Sequence, residues 1–124
     1  MELLQEHFST GGFKRLMQHG AYFENVKMDI ARPDGINSIA LIYTGAYPNV
    51  NGITAATTFN EESGRSLRTL NDPKYIVNAT DETLSPMALR VSTLSDEVKM
   101  DGAGMGDVYA IAPDAQQAII LAGH

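Results

Sequence analysis

The first twenty residues place their apolar side chains at helical spacing. One helical face is shared by Leu3, Leu4, His7 and Phe8, and a face of the next segment is shared by Phe13, Leu16 and Met17. The glycines at positions 11 and 12 interrupt the pattern, and Gly20 suits a left-handed helix end. Residues 1–20 are therefore predicted to form a short helical arm, either two separate turns or one broken helix.

From Tyr22 onward the hydrophobic period changes to two, which is typical of half-buried strands. Residues 23–31 alternate in this way, and the Pro33-Asp34-Gly35 turn follows them. Residues 38–43 are apolar on both parities, which favours a central strand covered on both faces. Further short strands are predicted at residues 53–59, 66–70, 75–79, 87–94 and 108–112.

The end of the chain supports two interpretations. Pro113 and Asp114 are suited to the first turn of a helix, whereas the β-branched pair Ile119 and Ile120 favours a strand, so residues 114–122 are left open. With about seven or eight short strands joined by turns, the pattern predicts a mainly β fold, an antiparallel sandwich or barrel with a short N-terminal helical segment. The 124 residues correspond to one domain.

Composition narrows the class of protein. The formal net charge is −6, which argues against direct binding to nucleic acid. The sequence contains no cysteine, which excludes disulfides and thiolate metal sites, and no apolar run is long enough to span a membrane. The acidic, mixed start does not resemble a signal peptide, so a virion or otherwise cytoplasmic location is expected.

Candidate chemistry is sparse. The acidic, glycine-rich loop over residues 96–107 could offer oxygen ligands to calcium from Asp96, Glu97, Asp101 and Asp107, but it lacks the EF-hand spacing, and a solvated acidic loop is the alternative. The three histidines are not spaced as paired metal ligands, and no serine lies in a G-x-S-x-G motif. No catalytic residue, metal site or cofactor is expected.

These observations predict a non-enzymatic structural protein of a large symmetric assembly, most specifically a virus or phage particle component in capsid decoration, the head–tail junction or the tail. Its partners would be other protein subunits, as a homo-oligomer or with capsid or tail proteins. The arm would supply the interface through Leu3, Leu4, Phe8, Phe13, Leu16 and Met17, or would pack on its own domain. One alternative is a carbohydrate- or ligand-binding module that uses the loops at residues 44–52 and 96–107. A second alternative is a small hydrolase with dispersed carboxylates.

Overall fold

A computed structural model describes residues 11–76 and 80–124, and helices predominate in it. The α-helices are α1 (Phe13–His19), α2 (Gly35–Thr44), α3 (Pro48–Asn51), α4 (Leu94–Asp101) and α5 (Ala115–Ala122), with a 3-10 helix at Pro86–Ala88. The strands are β1 (Thr57–Asn60) and β2 (Arg65–Arg68). The prediction of a mainly β sandwich or barrel is therefore wrong.

The sheet in the described residues is one antiparallel hairpin. Thr57 pairs with Arg68 and Asn60 pairs with Arg65, and Gly64 closes the turn with a φ of 64°. The two strands overlap the predicted strands at residues 53–59 and 66–70 but are shorter than predicted. An isolated bridge joins Asn71 to Leu84.

Helix α2 replaces the predicted central strand at residues 38–43. A short apolar run cannot by itself distinguish a buried strand from a buried helix, so the ends of the segment decide. The Asp34 side chain accepts from the amides of Ile36 and Asn37, and the Asn37 side chain accepts from the amide of Asp34, which completes a capping box. Gly45, with a φ of 65°, provides the left-handed end.

Capping also explains the helices near the end of the chain. The open question at residues 114–122 is decided for a helix, because the Asp114 side chain accepts from the amide of Gln116. Thr93 and Asp96 form a second capping box at the start of α4, where the sequence predicted first a strand and then an acidic loop. In both places capping side chains accept from main-chain amides of the first helical turn, which favours a helix.

The remaining predicted strands do not form sheet in the described residues. Residues 23–31 and 108–112 are free of strand or bridge assignments, and residues 87–94 run from the 3-10 helix to the cap of α4. The prediction at residues 75–79 lies partly outside the described residues.

The core gathers around the contact between α2 and α5. Its buried apolar residues, each at most 5% exposed, are Ile36, Ala40, Ile53, Leu70, Leu84, Leu89 and Ile120. Within the part of the chain that the structure describes, no helix has the length and apolar character needed to cross a bilayer.

Candidate functional site

The starts of α2 and α5 are both hydrogen-bonded to the chain segment that precedes β1. The Asp34 carboxylate accepts a hydrogen bond of 2.7 Å from the amide of Ala56 in that segment. On the other side, the Gln116 side chain donates to the Ala56 carbonyl at 3.2 Å and accepts from the amide of Leu70 at 3.0 Å. We call Asp34, Asn37, Ala56 and Gln116 the helix junction.

Asn37 is the fully buried member of the helix junction. Its side-chain oxygen accepts from the Asp34 amide at 2.8 Å, and its side-chain nitrogen donates to the carbonyls of Arg32 and Thr54, both at 2.9 Å. Burying an amide side chain is tolerable only when its polar atoms have partners, as they do here. These contacts connect the start of α2 to Arg32, which lies just before the helix, and to Thr54, which lies 17 residues after Asn37.

The Asp34 carboxylate stays ionised in the helix junction. Burial raises the pKa of this carboxyl group, but the amide donors of Asn37, Ala56 and Ile36, together with the charge of Arg32, outweigh it and lower the pKa. Free amides at a helix start are the groups that bind external anions. At α2 these amides bind a carboxylate of the chain itself.

A cavity of about 610 Å³ lies beside the helix junction. Its lining residues are Asp29, Ile30, Ala31, Arg32, Tyr47, Pro48, Asn49 and Thr54. Arg32 and Thr54 join the two regions, because their carbonyls accept from Asn37 while they also line the cavity. Among the lining residues, Arg32, Tyr47, Asn49 and Thr54 carry groups of the kind that bind a small polar ligand, and Asp29 adds a carboxylate.

A second polar cluster connects α4 to the end of α5. The Asp96 carboxylate accepts from the main-chain nitrogen of His124 at 2.6 Å and pairs with the His124 ring at 2.9 Å. It also accepts from the amide and hydroxyl of Thr93 at 2.8 and 3.0 Å. Burial raises the pKa of Asp96, but the hydrogen bonds from His124 and Thr93 outweigh it and lower the pKa to about 2.

This second cluster has a structural explanation. The Lys99 ammonium donates to the carbonyls of Ala122 and His124, both at 2.9 Å, which places a cation at the end of α5. A cavity of about 450 Å³ adjoins it, lined in part by Arg90, Asp96, Lys99 and His124. Because both carboxylate oxygens of Asp96 already have hydrogen-bond partners, the role that the contacts support is to connect α4 to the end of α5.

The structure does not assemble the calcium site considered for residues 96–107. Asp96 and Glu97 lie in the first turn of α4, and Asp96 is bound to His124 and Thr93. In residues 11–76 and 80–124, no group of three or more histidine, aspartate or glutamate side chains is arranged to hold a metal ion.

The predicted interface of the arm is only partly visible. Leu3, Leu4 and Phe8 lie outside the described residues. Phe13 and Leu16 are 68% and 67% exposed on α1, and Met17 is half-buried. No finding tests whether these side chains meet another subunit, so the interface stays a prediction.

Neither the helix junction nor the pair of Asp96 with His124 was predicted, and only part of the helix junction has a local sequence signal. Asp34 and Asn37 have the three-residue spacing of a capping box, which is readable before an apolar run. The contact of Gln116 with Ala56 joins residues 60 apart, and the pair of Asp96 with His124 joins residues 28 apart. No local pattern indicates either of these contacts.

Curated relatives were found across nearly the whole chain, although no family model matches it. Alkaline phosphatase PhoV of Synechococcus elongatus is 31% identical over 120 residues, which are 94% of this chain and 22% of PhoV. A calcium-transporting ATPase of Myroides odoratus is 30% identical and covers 96% of this chain and 22% of that protein. Alkaline phosphatase PafA of Elizabethkingia meningoseptica is 26% identical, again with 22% of its length.

The solved structures that match this chain are also of an alkaline phosphatase. The crystal structure of wild-type alkaline phosphatase PafA superposes with a TM-score of 0.79 at 24% sequence identity, over 98% of this chain and 24% of PafA. A PafA variant with four substitutions superposes with a TM-score of 0.78.

These comparisons correct the functional prediction. The relatives and structural neighbours include alkaline phosphatases, so a non-enzymatic virus or phage particle component is the wrong interpretation, and the hydrolase alternative agrees better with them. The chain spans about a fifth of the length of the curated relatives it matches. It has the fold of one quarter-length portion of alkaline phosphatase PafA.

Proposed function

We propose that this chain forms part of a hydrolase of the alkaline phosphatase type, which cleaves phosphate esters. The observation that carries the proposal is the match to PhoV over 94% of the chain, supported by a PafA-like fold over 98% of it. The ATPase among the relatives is consistent with it, because an ATPase also transfers a phosphoryl group to water.

Within the described residues, the cavity beside the helix junction is the place we assign to the phosphate group. Arg32 supplies a planar guanidinium, which can bind two phosphate oxygens at once. Thr54 also lines the cavity and carries a hydroxyl of the kind that can donate to a phosphate oxygen. Asp29 also lines the cavity, and its charge is paired with Lys27 at 3.3 Å.

The start of α2 is not available for the same role. Its amides already bind the Asp34 carboxylate, and that negative charge would repel a phosphate placed directly on the helix axis. Binding by side chains at the edge of the helix junction is therefore the arrangement that the geometry supports.

The described residues do not fit a two-metal centre of the kind that many phosphatases use. Such a centre needs several carboxylate and histidine ligands around two ions, and the described residues bring no group of three together. We therefore assign these residues to substrate positioning.

Phosphate binding by the 124-residue chain tests the proposal. We expect inorganic phosphate to shift the backbone NMR signals of Arg32 and Thr54, and Arg32→Ala to weaken binding at least ten-fold. The matched control is Arg15→Ala on α1, which does not line the cavity and should leave binding unchanged. Absence of phosphate-dependent shifts around the cavity would contradict the assignment.

Activity is tested with the whole chain placed in a phosphatase. We expect a PafA chimera in which this chain replaces the matching portion to hydrolyse p-nitrophenyl phosphate faster than p-nitrophenyl sulfate. A folded chimera without phosphate-ester hydrolysis would count against the proposed function.

A further inference from the structure

The segment between α4 and α5 has the sequence of a strand but no strand partner among the described residues. Residues 106–112 have no hydrogen bond to any other described residue. Val108, Ala110 and Ala112 are half-buried, whereas Tyr109 is 86% exposed and Ile111 is 95% exposed. Alternation of this kind is the signature of a strand with one face packed and one face bare.

Such a surface is unfavourable in isolation. Burying a large apolar side chain is favourable, and the exposed side chains of Tyr109 and Ile111 forgo most of that gain. An extended segment with free amides and carbonyls is also a template for strand addition. Both features indicate a partner that supplies a strand for main-chain pairing and apolar side chains that cover Tyr109 and Ile111.

We propose that residues 108–112 form a β-strand that pairs with a strand of a phosphatase-like body, with Tyr109 and Ile111 buried at that contact. The body is the part of an alkaline phosphatase that this chain does not span, so the inference rests on the proposed function. We choose this partner because of the size of PafA. This chain covers 24% of PafA, so a PafA-like protein has about three quarters of its length outside this match that could pack on the segment.

Charge and proline disfavour a second copy as the occupant. An antiparallel pairing of two copies centred on Ala110 places Asp107 of one copy opposite Pro113 of the other and beside its Asp114. Pro113 has no amide to donate, and like charges at neighbouring positions across a sheet are destabilising. Each copy also carries a formal net charge of −6.

Hydrogen exchange tests the pairing. In the free 124-residue chain, we expect the peptide that covers residues 106–113 to exchange without protection. In the PafA chimera described above, we expect its exchange to slow at least 100-fold, while the turn at residues 61–64 stays fast in both proteins. The inference is wrong if residues 106–113 stay unprotected in a chimera whose α2 peptide is protected, or if the free chain is a dimer with this segment protected.

A second arrangement does not depend on the folding of the chimera. PafA without its matching portion is co-expressed with the tagged 124-residue chain as wild type, Ile111→Asp or Met105→Asp. Met105 is the matched control because it is 88% exposed but lies before the strand. We expect Ile111→Asp to reduce co-purification at least ten-fold and Met105→Asp to leave it unchanged.

Failure of wild type to co-purify, or equal recovery of wild type and Ile111→Asp, would overturn the inference. The outcome is separable from that of the proposed function. Protection of residues 108–112 in a chimera without activity would support the pairing and contradict the function, whereas activity without protection would do the reverse.

Discussion

The carboxylate of Asp34 accepts a hydrogen bond of 2.7 Å from the main-chain nitrogen of Ala56, 22 residues further along the chain. The same carboxylate caps α2 through the amides of Ile36 and Asn37. One side chain therefore fixes both the start of the central helix and the segment that leads into the hairpin.

Removal of this side chain should destabilise the fold. We expect Asp34→Ala to lower the free energy of unfolding by about 2 kcal/mol, because it removes a helix cap and a long-range hydrogen bond. The control is Asp81→Ala at an exposed loop position, which should change stability by less than about 0.5 kcal/mol. Urea unfolding followed by circular dichroism measures both, and equal stability of the two variants would contradict the role of Asp34.

Replacement of Gln116 should destabilise the fold, because it leaves a buried main-chain amide without an acceptor. We expect Gln116→Leu to cost about 1–3 kcal/mol, since the buried amide of Leu70 would lose its acceptor. Gln117→Leu is the matched control on the same helix, because Gln117 makes one long contact of 3.5 Å with the Gly35 carbonyl. Thermal unfolding of the two variants should show the larger loss for Gln116→Leu.

Stability should fall in acid because of Asp96. Its pKa is lowered from 3.8 to about 2 in the folded chain, so its contribution is complete above about pH 4 and is lost as the pH falls toward 2. Asp34, whose pKa is also lowered, should act in the same direction. We expect Asp96→Asn to be less stable than wild type at pH 7 and to lose less stability on acidification.

The exposed Asp101→Asn at the end of α4 is the control for this pH series. It should follow the wild-type profile in thermal unfolding between pH 7 and 2. If Asp96→Asn followed that same profile, the hydrogen bonds from His124 and Thr93 would not be the source of the acid sensitivity.

Gly52 should be intolerant of a side chain for two reasons. Its φ of 88° is unfavourable for other residues, and a Cβ atom there would lie 2.6 Å from the carbonyl oxygen of Ala88. Gly45 has a φ of 65° but no atom within 4 Å of an added Cβ. We therefore expect Gly52→Ala to lower the melting temperature more than Gly45→Ala, which carries only the backbone cost of about 1 kcal/mol.

Parts of the fold could be predicted from the sequence and parts could not, for physical reasons. The two strands of the hairpin overlap the predicted strands at residues 53–59 and 66–70, because Gly64 and the polar residues around it form a turn between short strand-like runs. The predicted strand at residues 38–43 is wrong because the apolar residues of this run suit either structure, and the capping pair Asp34 and Asn37 favours the helix α2.

The predicted strands at residues 23–31 and 108–112 rest on alternation in the sequence, yet these segments have no strand partner in the described residues. A strand signal reports which face a residue can bury and not whether a neighbour is present. No local motif indicates the helix junction as a whole, because it is assembled by contacts such as that of Gln116 with Ala56, 60 residues away.

The occupied start of α2 has a consequence for how the protein responds to its ionic surroundings. Asp34 is an anion tethered next to its own binding amides, so a dissolved anion must compete with an effective concentration of at least the millimolar range. Phosphate in solution below that range should therefore leave this helix end untouched.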